Sequence, residues 1–228
     1  MKSHDKAWHE IPAQEAIETL RSGKTGLSTE EARSRLETYG QNRLPKPPGR
    51  SALVRFFVHF HNILIYVLLA SAAITALLGH FVDTTVILAV VIANAAIGFF
   101  QEGKAEKAMD AIRHMLALNA SVIRNAVRVA VRSEDLVPGD IVLLEAGDKV
   151  PADLRLTSVN GLQIQEAILT GESIPAEKSS QPVANTAPPG DRLCMAYSGT
   201  LVTSGMGRGV VVATGTDTEI GRISGMLS

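Results

Sequence analysis

Two long stretches without a charged residue constrain this chain more than anything else in it. From Phe56 to Leu78, and again from Thr84 to Phe100, there is no Asp, Glu, Lys or Arg. A helix needs about 20 apolar residues to cross the hydrocarbon core of a bilayer, and about 17 at the least. Two such runs side by side are hard to bury in a soluble core built from 228 residues, so they read as membrane helices rather than buried core helices. The connection between them, Gly79–Asp83, is brief and predicts a tight antiparallel hairpin. Asp83 at the start of the second run reads as a cap that complements the positive end of the helix dipole.

Charge placement orients the hairpin. Arg43, Lys46, Arg50 and Arg55 precede the first run, Lys104, Lys107 and Arg113 follow the second, and the connecting loop has no Lys or Arg. Positive residues favour the cytoplasmic side, which places both termini in the cytoplasm and the loop outside. The helical spacing does not stop at the membrane boundary. Ala105, Ala108, Met109, Ile112, Met115 and Leu116 keep it going past Gln101 and predict a cytoplasmic stalk.

Before the apolar runs, Trp8 and Ile11 lead into a short amphipathic helix over Ala13–Arg21, which Gly23 and Gly26 break. Ser28 and Glu31 have the spacing of a capping box for a second helix through Ala32, Leu36 and Tyr39. Gly40 is placed to stop it, and Pro45, Pro47 and Pro48 enforce an extended linker.

From Asn119 the period changes to two. Val122 and Arg124, then Val127 to Val131, alternate around an Asn125-Ala126 turn. Pro138-Gly139-Asp140 precedes a strand over Ile141–Leu144. Leu154–Val159, Leu162–Ile164, Leu201-Val202 and Gly209–Ala213 are further short strands, with a polar loop over Gln181–Pro189. Gly199, Gly205, Gly207, Gly209, Gly215 and Gly221 read as turn residues. Short strands with frequent Gly and Pro predict a compact β domain. The fold class is therefore an α+β membrane protein. It divides into a helical segment over 1–50, a transmembrane hairpin with its stalk over 51–118, and a β-rich domain over 119–228.

The block Glu166-Ala167-Ile168-Leu169-Thr170-Gly171-Glu172-Ser173 carries the chemistry. Gly171 lets the backbone turn sharply and project Glu172 outward. An exposed carboxylate on a rigid turn suits the orientation of a water molecule for attack. The four letters Thr-Gly-Glu-Ser alone would also fit an ordinary β-turn, and the surroundings decide. Trp8, Gly26-Leu27-Ser28, Glu31-Ala32, Arg35-Leu36, Tyr39-Gly40 and Asn42 resemble the N-terminal segment of the type II cation-transporting P-type ATPases. Ile92 to Gly98, ending at Gln101-Glu102, resembles that family's second membrane helix. Leu136 to Val142, Gly147 to Asp153, Leu169 to Ser173, Ser198-Gly199-Thr200 and Gly215 to Gly221 resemble its actuator domain. In this order and spacing the set is very specific.

The resemblance implies a mechanism. A cytoplasmic aspartate takes phosphate from ATP, the actuator domain rotates, and its Thr-Gly-Glu-Ser loop approaches the aspartyl phosphate. The glutamate, here Glu172, helps water hydrolyse it, with Thr170, Gly171 and Ser173 completing the loop. ATP and magnesium are then expected in the complete pump, bound by parts outside these residues. The family's phosphorylation motif Asp-Lys-Thr-Gly-Thr does not occur in the sequence, and Ser228 falls about where a third membrane helix is expected to begin. Many relatives have Asp-Glu-Ser where this chain has Gln165-Glu166-Ala167, which leaves Glu172 untouched. The expected partners are the lipid bilayer and the remaining segments of the pump. The alternative is a freestanding, non-catalytic membrane protein that regulates or assembles with a pump.

Other signals are weaker. Gly23-Lys24-Thr25 lacks the glycine that a phosphate loop needs five residues earlier, where Glu18 stands. His59 and His61 flank Phe60 without Cys or acidic neighbours, and read as interfacial packing rather than a metal site. Asn62 and Asn94 are candidates for hydrogen bonds between the membrane helices. Cys194, the single cysteine, reads as a small buried hydrophobe. A net charge of −1 and 4% aromatic residues give no reason for a nucleic-acid partner.

Overall fold

A computed structural model of the chain describes residues 6–44, 54, 58, 61–115 and 119–226, without the side chains of 106 and 110–115. The proline linker, the start of the first apolar run with His59 and Phe60, and Leu116 lie outside these residues. The chain forms two compact units, one from Met1–Pro45 with Ala117–Ser228, the other from Lys46–Leu116.

In the first unit, α1 (Ala13–Thr19) and α2 (Thr29–Tyr39) precede the sheet in sequence. Ser28 caps α2, its hydroxyl accepting the Glu31 N–H at 3.0 Å. The reciprocal half of the expected box is replaced, because the Glu31 carboxylate pairs with Arg35 one turn on. Arg35 also donates to the carbonyls of Leu20 and Pro138, at 2.8 and 2.7 Å, and so ties α2 to the turn before Ile141.

The sheet has seven strands: β1 (Asn119–Arg124), β2 (Val127–Arg132), β3 (Ile141–Glu145), β4 (Asp153–Gln165), β5 (Ala176–Glu177), β6 (Met195–Ala196) and β7 (Leu201–Ala213). They run in the order β2-β1-β3-β7-β4-β5, with β6 also on β4, and every strand pair is antiparallel. The Asn125-Ala126 turn joins β1 to β2 with both residues at positive φ, 51° and 62°, the twist a two-residue hairpin requires. Thr25 and Leu27 brace it, accepting the amides of Ala126 and Asn125 at 2.7 and 3.0 Å.

Alternation along the strands gives the sheet two apolar faces. Val142, Leu144, Leu154, Leu156, Leu162, Ile164, Val202 and Val211 fill one core. Ile141, Val210 and Val212 face the other way and pack with Trp8, Ala16, Ile17, Cys194 and Met195. The N-terminal segment is thus the second layer over the sheet. Arg155 pins it there. Its fully buried guanidinium donates to the carbonyls of Trp8 and Ile11, and to those of Leu156, Ser180 and Cys194.

Two sequence expectations change. The paired short strands on either side of Asn160-Gly161, and on either side of Gly205, are single strands of 13 residues each, β4 and β7. Gly205, Gly207 and Gly209 consequently lie within β7 rather than in turns. Gly205 sits at φ 72° where a Cβ would come within 2.1 Å of the Gly161 carbonyl oxygen. The register shifts between Asn160 and Gln163, so the two glycines let the strands bend past each other at a bulge.

Asp153, at the start of β4, links the sheet to its C-terminal neighbour. Its two carboxylate oxygens accept the amides of Ser198 and Glu219, both at 2.8 Å, the latter at the start of the last helix, Glu219–Met226. Burial lifts its pKa to about 6, although both amide bonds oppose the shift.

The second unit is a helix pair. α3 (Ile63–Leu77) and α4 (Phe81–Met115) meet through Gly79. Residues Phe81–Met109 of α4 are long and apolar enough to cross a membrane, and the helix continues unbroken to Met115, as its spacing predicts. α3 is 15 residues long, about 22 Å at 1.5 Å per residue, short of the roughly 30 Å hydrocarbon core. Among the described residues, Ile65, Ala72, Val91 and Ala95 are the buried apolar side chains of the pair. Among the described residues, Thr84 links the two helices, its hydroxyl lying 2.9 Å from that of Thr75 and 3.5 Å from the Ala72 carbonyl oxygen. Asn62 instead caps α3 by accepting the Leu64 amide, and Asn94 is exposed. Asp83 pairs with His80 in the first turn of α4. His61 meets Tyr66 edge-on.

Candidate functional site

β4 ends at Gln165 and the chain leaves the sheet for ten residues before returning as β5, whose whole pairing with β4 is Gln163 with Glu177 and Ile164 with Ala176. The excursion begins with a single helical turn, α5 (Ala167–Thr170). Leu169 anchors that turn by packing against the core beneath α1.

Gly171 then ends α5 in the left-handed region, at φ 77° and ψ −5°, its N–H donating to the Ala167 carbonyl at 2.9 Å. A Cβ there would meet nothing within 4 Å, so the glycine is required by backbone conformation and not by crowding. The sharp turn at Gly171 is therefore a helix stop, and Glu172 directly after it is exposed.

The Thr170 hydroxyl stitches the turn together. It donates to the Glu166 carbonyl at 3.2 Å and accepts the Glu172 N–H at 3.2 Å. Ser173 is exposed, and its carbonyl accepts a long hydrogen bond from the Gln165 amide at 3.5 Å. Among the described residues, no hydrogen bond or ion pair engages the exposed Glu172 carboxylate. A carboxylate held by its backbone but unengaged at its oxygens can accept a proton from a water molecule brought to it. Thr170, Gly171, Glu172 and Ser173 are thus adjacent on one exposed knuckle, with Ile168 and Ile174 also exposed on either side.

Below the knuckle is a feature that sequence reasoning missed. Glu166 and Lys178, the residues at the two ends of the excursion, are buried and form an ion pair, Lys178 Nζ lying 2.6 Å from Glu166 Oε1. Burial pushes the Glu166 carboxyl up and the Lys178 ammonium down, each shift opposed by the other's charge. Arg155 was equally invisible. Single charged residues between apolar neighbours read as solvent-facing strand positions, and nothing in a lone sequence marks them as inward.

Among the described residues no group of three or more His, Cys, Asp or Glu could hold a metal ion. Gly23, Lys24 and Thr25 lie in the connection between α1 and α2, not at the start of a helix after a strand. Cys194 is buried beneath the N-terminal segment, and burial raises its thiol pKa, which removes it from nucleophilic roles.

Comparison with known proteins agrees with this geometry. The P-type ATPase actuator domain family matches residues 114–228, and the cation transporter/ATPase N-terminus family matches residues 8–75. The chain is 50% identical to the "Probable cation-transporting ATPase F" of Mycobacterium tuberculosis, over 95% of its own length and 24% of that protein's. It is 43% identical to the "Cation-transporting ATPase pma1" of Synechocystis, with 95% and 24% covered. It is 40% identical to the "Calcium-transporting ATPase" of Bacillus subtilis, with 96% and 25% covered. The chain thus spans about a quarter of the length of these relatives. An antiparallel sheet carrying the Thr-Gly-Glu-Ser knuckle, layered by an N-terminal helical segment, and two family matches in that arrangement, establish that this chain belongs to the P-type ATPase family and corresponds to its N-terminal region and actuator domain.

Proposed function

We propose that this chain acts as the dephosphorylating arm of an ATP-driven cation pump, with Glu172 directing water onto an aspartyl phosphate carried by another segment. The observation that carries the reading is the exposed Glu172 carboxylate on a turn stiffened by Gly171 and by the Thr170 hydroxyl. In the step itself, water oxygen forms a bond to phosphorus and the bond from phosphorus to the aspartyl oxygen breaks. The aspartate leaves as a free carboxylate, phosphate is released, and Glu172 takes the proton that the water gives up. Splitting transfer to water into two stages through a covalent intermediate is the logic of nucleophilic catalysis. Thr170 and Ser173 hold the turn, and Gly171 sets its direction.

The rest of the assignment follows the same reading. Residues 1–50 form a cytoplasmic helical segment, 51–118 a transmembrane hairpin with a stalk, and 119–228 the actuator. Both termini face the cytoplasm and the protein is integral to the membrane, passing it twice. The distribution of Lys and Arg around the apolar runs supports that orientation. The partners are the bilayer and the pump's phosphorylation, nucleotide-binding and ion-binding segments, which take up ATP and magnesium.

The test is Glu172→Gln in the complete pump. Phosphoenzyme forms from labelled ATP as in the wild type, and its decay after a chase of unlabelled ATP slows by about a hundredfold or more, the range of a lost general base. Decay at the wild-type rate overturns the assignment.

A further inference from the structure

The buried pair beneath the knuckle is not explained by stability. Glu166 is 3% exposed and Lys178 4%. Apart from each other, their charged atoms find no protein hydrogen-bond partner among the described residues. Taking two ions out of water is costly, and well-packed apolar residues of the same volume often serve as well or better. A pair so poorly supported by further hydrogen bonds has little stability to offer.

Its place in the chain offers a different account. Glu166 and Lys178 bracket the excursion that holds Glu172. At that base the sheet contributes only two residue pairs between β4 and β5, and the bond from the Lys178 N–H to the Leu162 carbonyl at 2.9 Å. Two residues of edge strand make a soft hinge. Glu166 also holds the turn through its backbone. Its carbonyl accepts the amides of Leu169 and Thr170, at 2.8 and 3.0 Å, and the Thr170 hydroxyl at 3.2 Å. That hydroxyl in turn accepts the Glu172 amide. A shift of Glu166 therefore reaches Glu172 through two hydrogen bonds.

We propose that the Glu166–Lys178 ion pair is the positioning clamp of the catalytic turn, closing the base of the excursion so that Glu172 arrives at the phosphate already aimed. The proposal rests on the reading of Glu172 given above. Both residues are positioning residues: they are buried and act through Thr170 and the backbone. A misplacement of about 1 Å at a reacting group can cost on the order of a hundredfold in rate. The clamp matters to the step that uses Glu172, phosphoenzyme decay, and not to phosphoenzyme formation.

The experiment compares Glu166→Gln, Lys178→Met, the double variant carrying both, and Glu172→Gln in the complete pump. Phosphoenzyme formation from ATP and its decay after a chase are measured separately. Each single variant is expected to slow decay by about tenfold to a hundredfold while formation stays within about twofold. The double variant leaves no orphan charge, so it keeps the fold even where a single variant does not, and it is expected to decay slowly as well. Wild-type decay in the double variant overturns the proposal, because the pair would then only be avoiding an unpaired charge. Slow decay in Glu172→Gln with normal decay in the double variant sinks the clamp alone. Normal decay in Glu172→Gln sinks the role of Glu172 and the clamp with it.

Discussion

Asp153 caps the helix that begins at Glu219: its Oδ2 accepts the Glu219 N–H at 2.8 Å, from a strand 66 residues earlier in the chain. Its pKa of about 6 lies above the ordinary 3.8. In the folded chain the group therefore holds its proton over a pH range in which the unfolded chain has lost it. Its contribution to stability is full below pH about 3.8 and is lost as pH rises through about 6. In thermal unfolding of the detergent-solubilised chain, the wild type should lose stability across that window relative to Asp153→Asn. The difference at the two ends is on the order of 2–3 kcal/mol.

Arg155 is a cation held by carbonyls instead of a carboxylate. Its five partners lie in the N-terminal segment, in β4 and in the loop after Lys178. Arg155→Met strands those carbonyls in the core, and Arg155→Lys cannot span them with a single ammonium. Either change should cost about 3 kcal/mol or more in urea unfolding. Limited proteolysis should show new cleavage between Ser179 and Leu193.

Two glycine-to-alanine changes should separate strain from crowding. At Gly205 an added Cβ meets both a positive φ and the Gly161 carbonyl oxygen 2.1 Å away. Gly205→Ala should therefore destabilise by several kcal/mol, about 3 or more, as read by urea midpoint. Gly171→Ala meets open space, and only the left-handed backbone resists it. It should cost about 1–2 kcal/mol and leave the fold intact. Because it redirects Glu172, it should slow phosphoenzyme decay in the complete pump out of proportion to that cost.

The proposed two-pass topology has a simple labelling test. Cys194 is fully buried, so a cysteine placed at His80 supplies the only accessible thiol expected. His80→Cys should react with a membrane-impermeant maleimide added outside sealed cells. A cysteine at Lys24 should react only after the cells are opened. Labelling of both, or of neither, from outside contradicts the orientation.

What could be read in the sequence was whatever leaves a local mark. Asn125-Ala126, Pro138-Gly139-Asp140 and the Gly171 stop each announce a turn by residue type, and the long α4 announces itself by period. The family was legible because several modest strings fall in one order. The bulged strands β4 and β7 were not, since Asn160-Gly161 and Gly205 look the same in a bend within a strand as in a turn between two. Glu166, Lys178 and Arg155 were hidden for another reason: whether a charge points inward depends on partners many residues away. The second layer was missed too, because the apolar face of α1 does not say that its counterpart is Val210 and Val212.

That last pairing has a consequence for how the protein is made. Trp8 and Ile17 leave the ribosome roughly two hundred residues before the valines of β7 that cover them. At 5–20 residues per second, the wait is roughly ten to forty seconds. Throughout it, the apolar side of the first helix has no native cover. Completion of this unit therefore waits for β7 to emerge, and the nascent N-terminus is the stretch most in need of shelter until then.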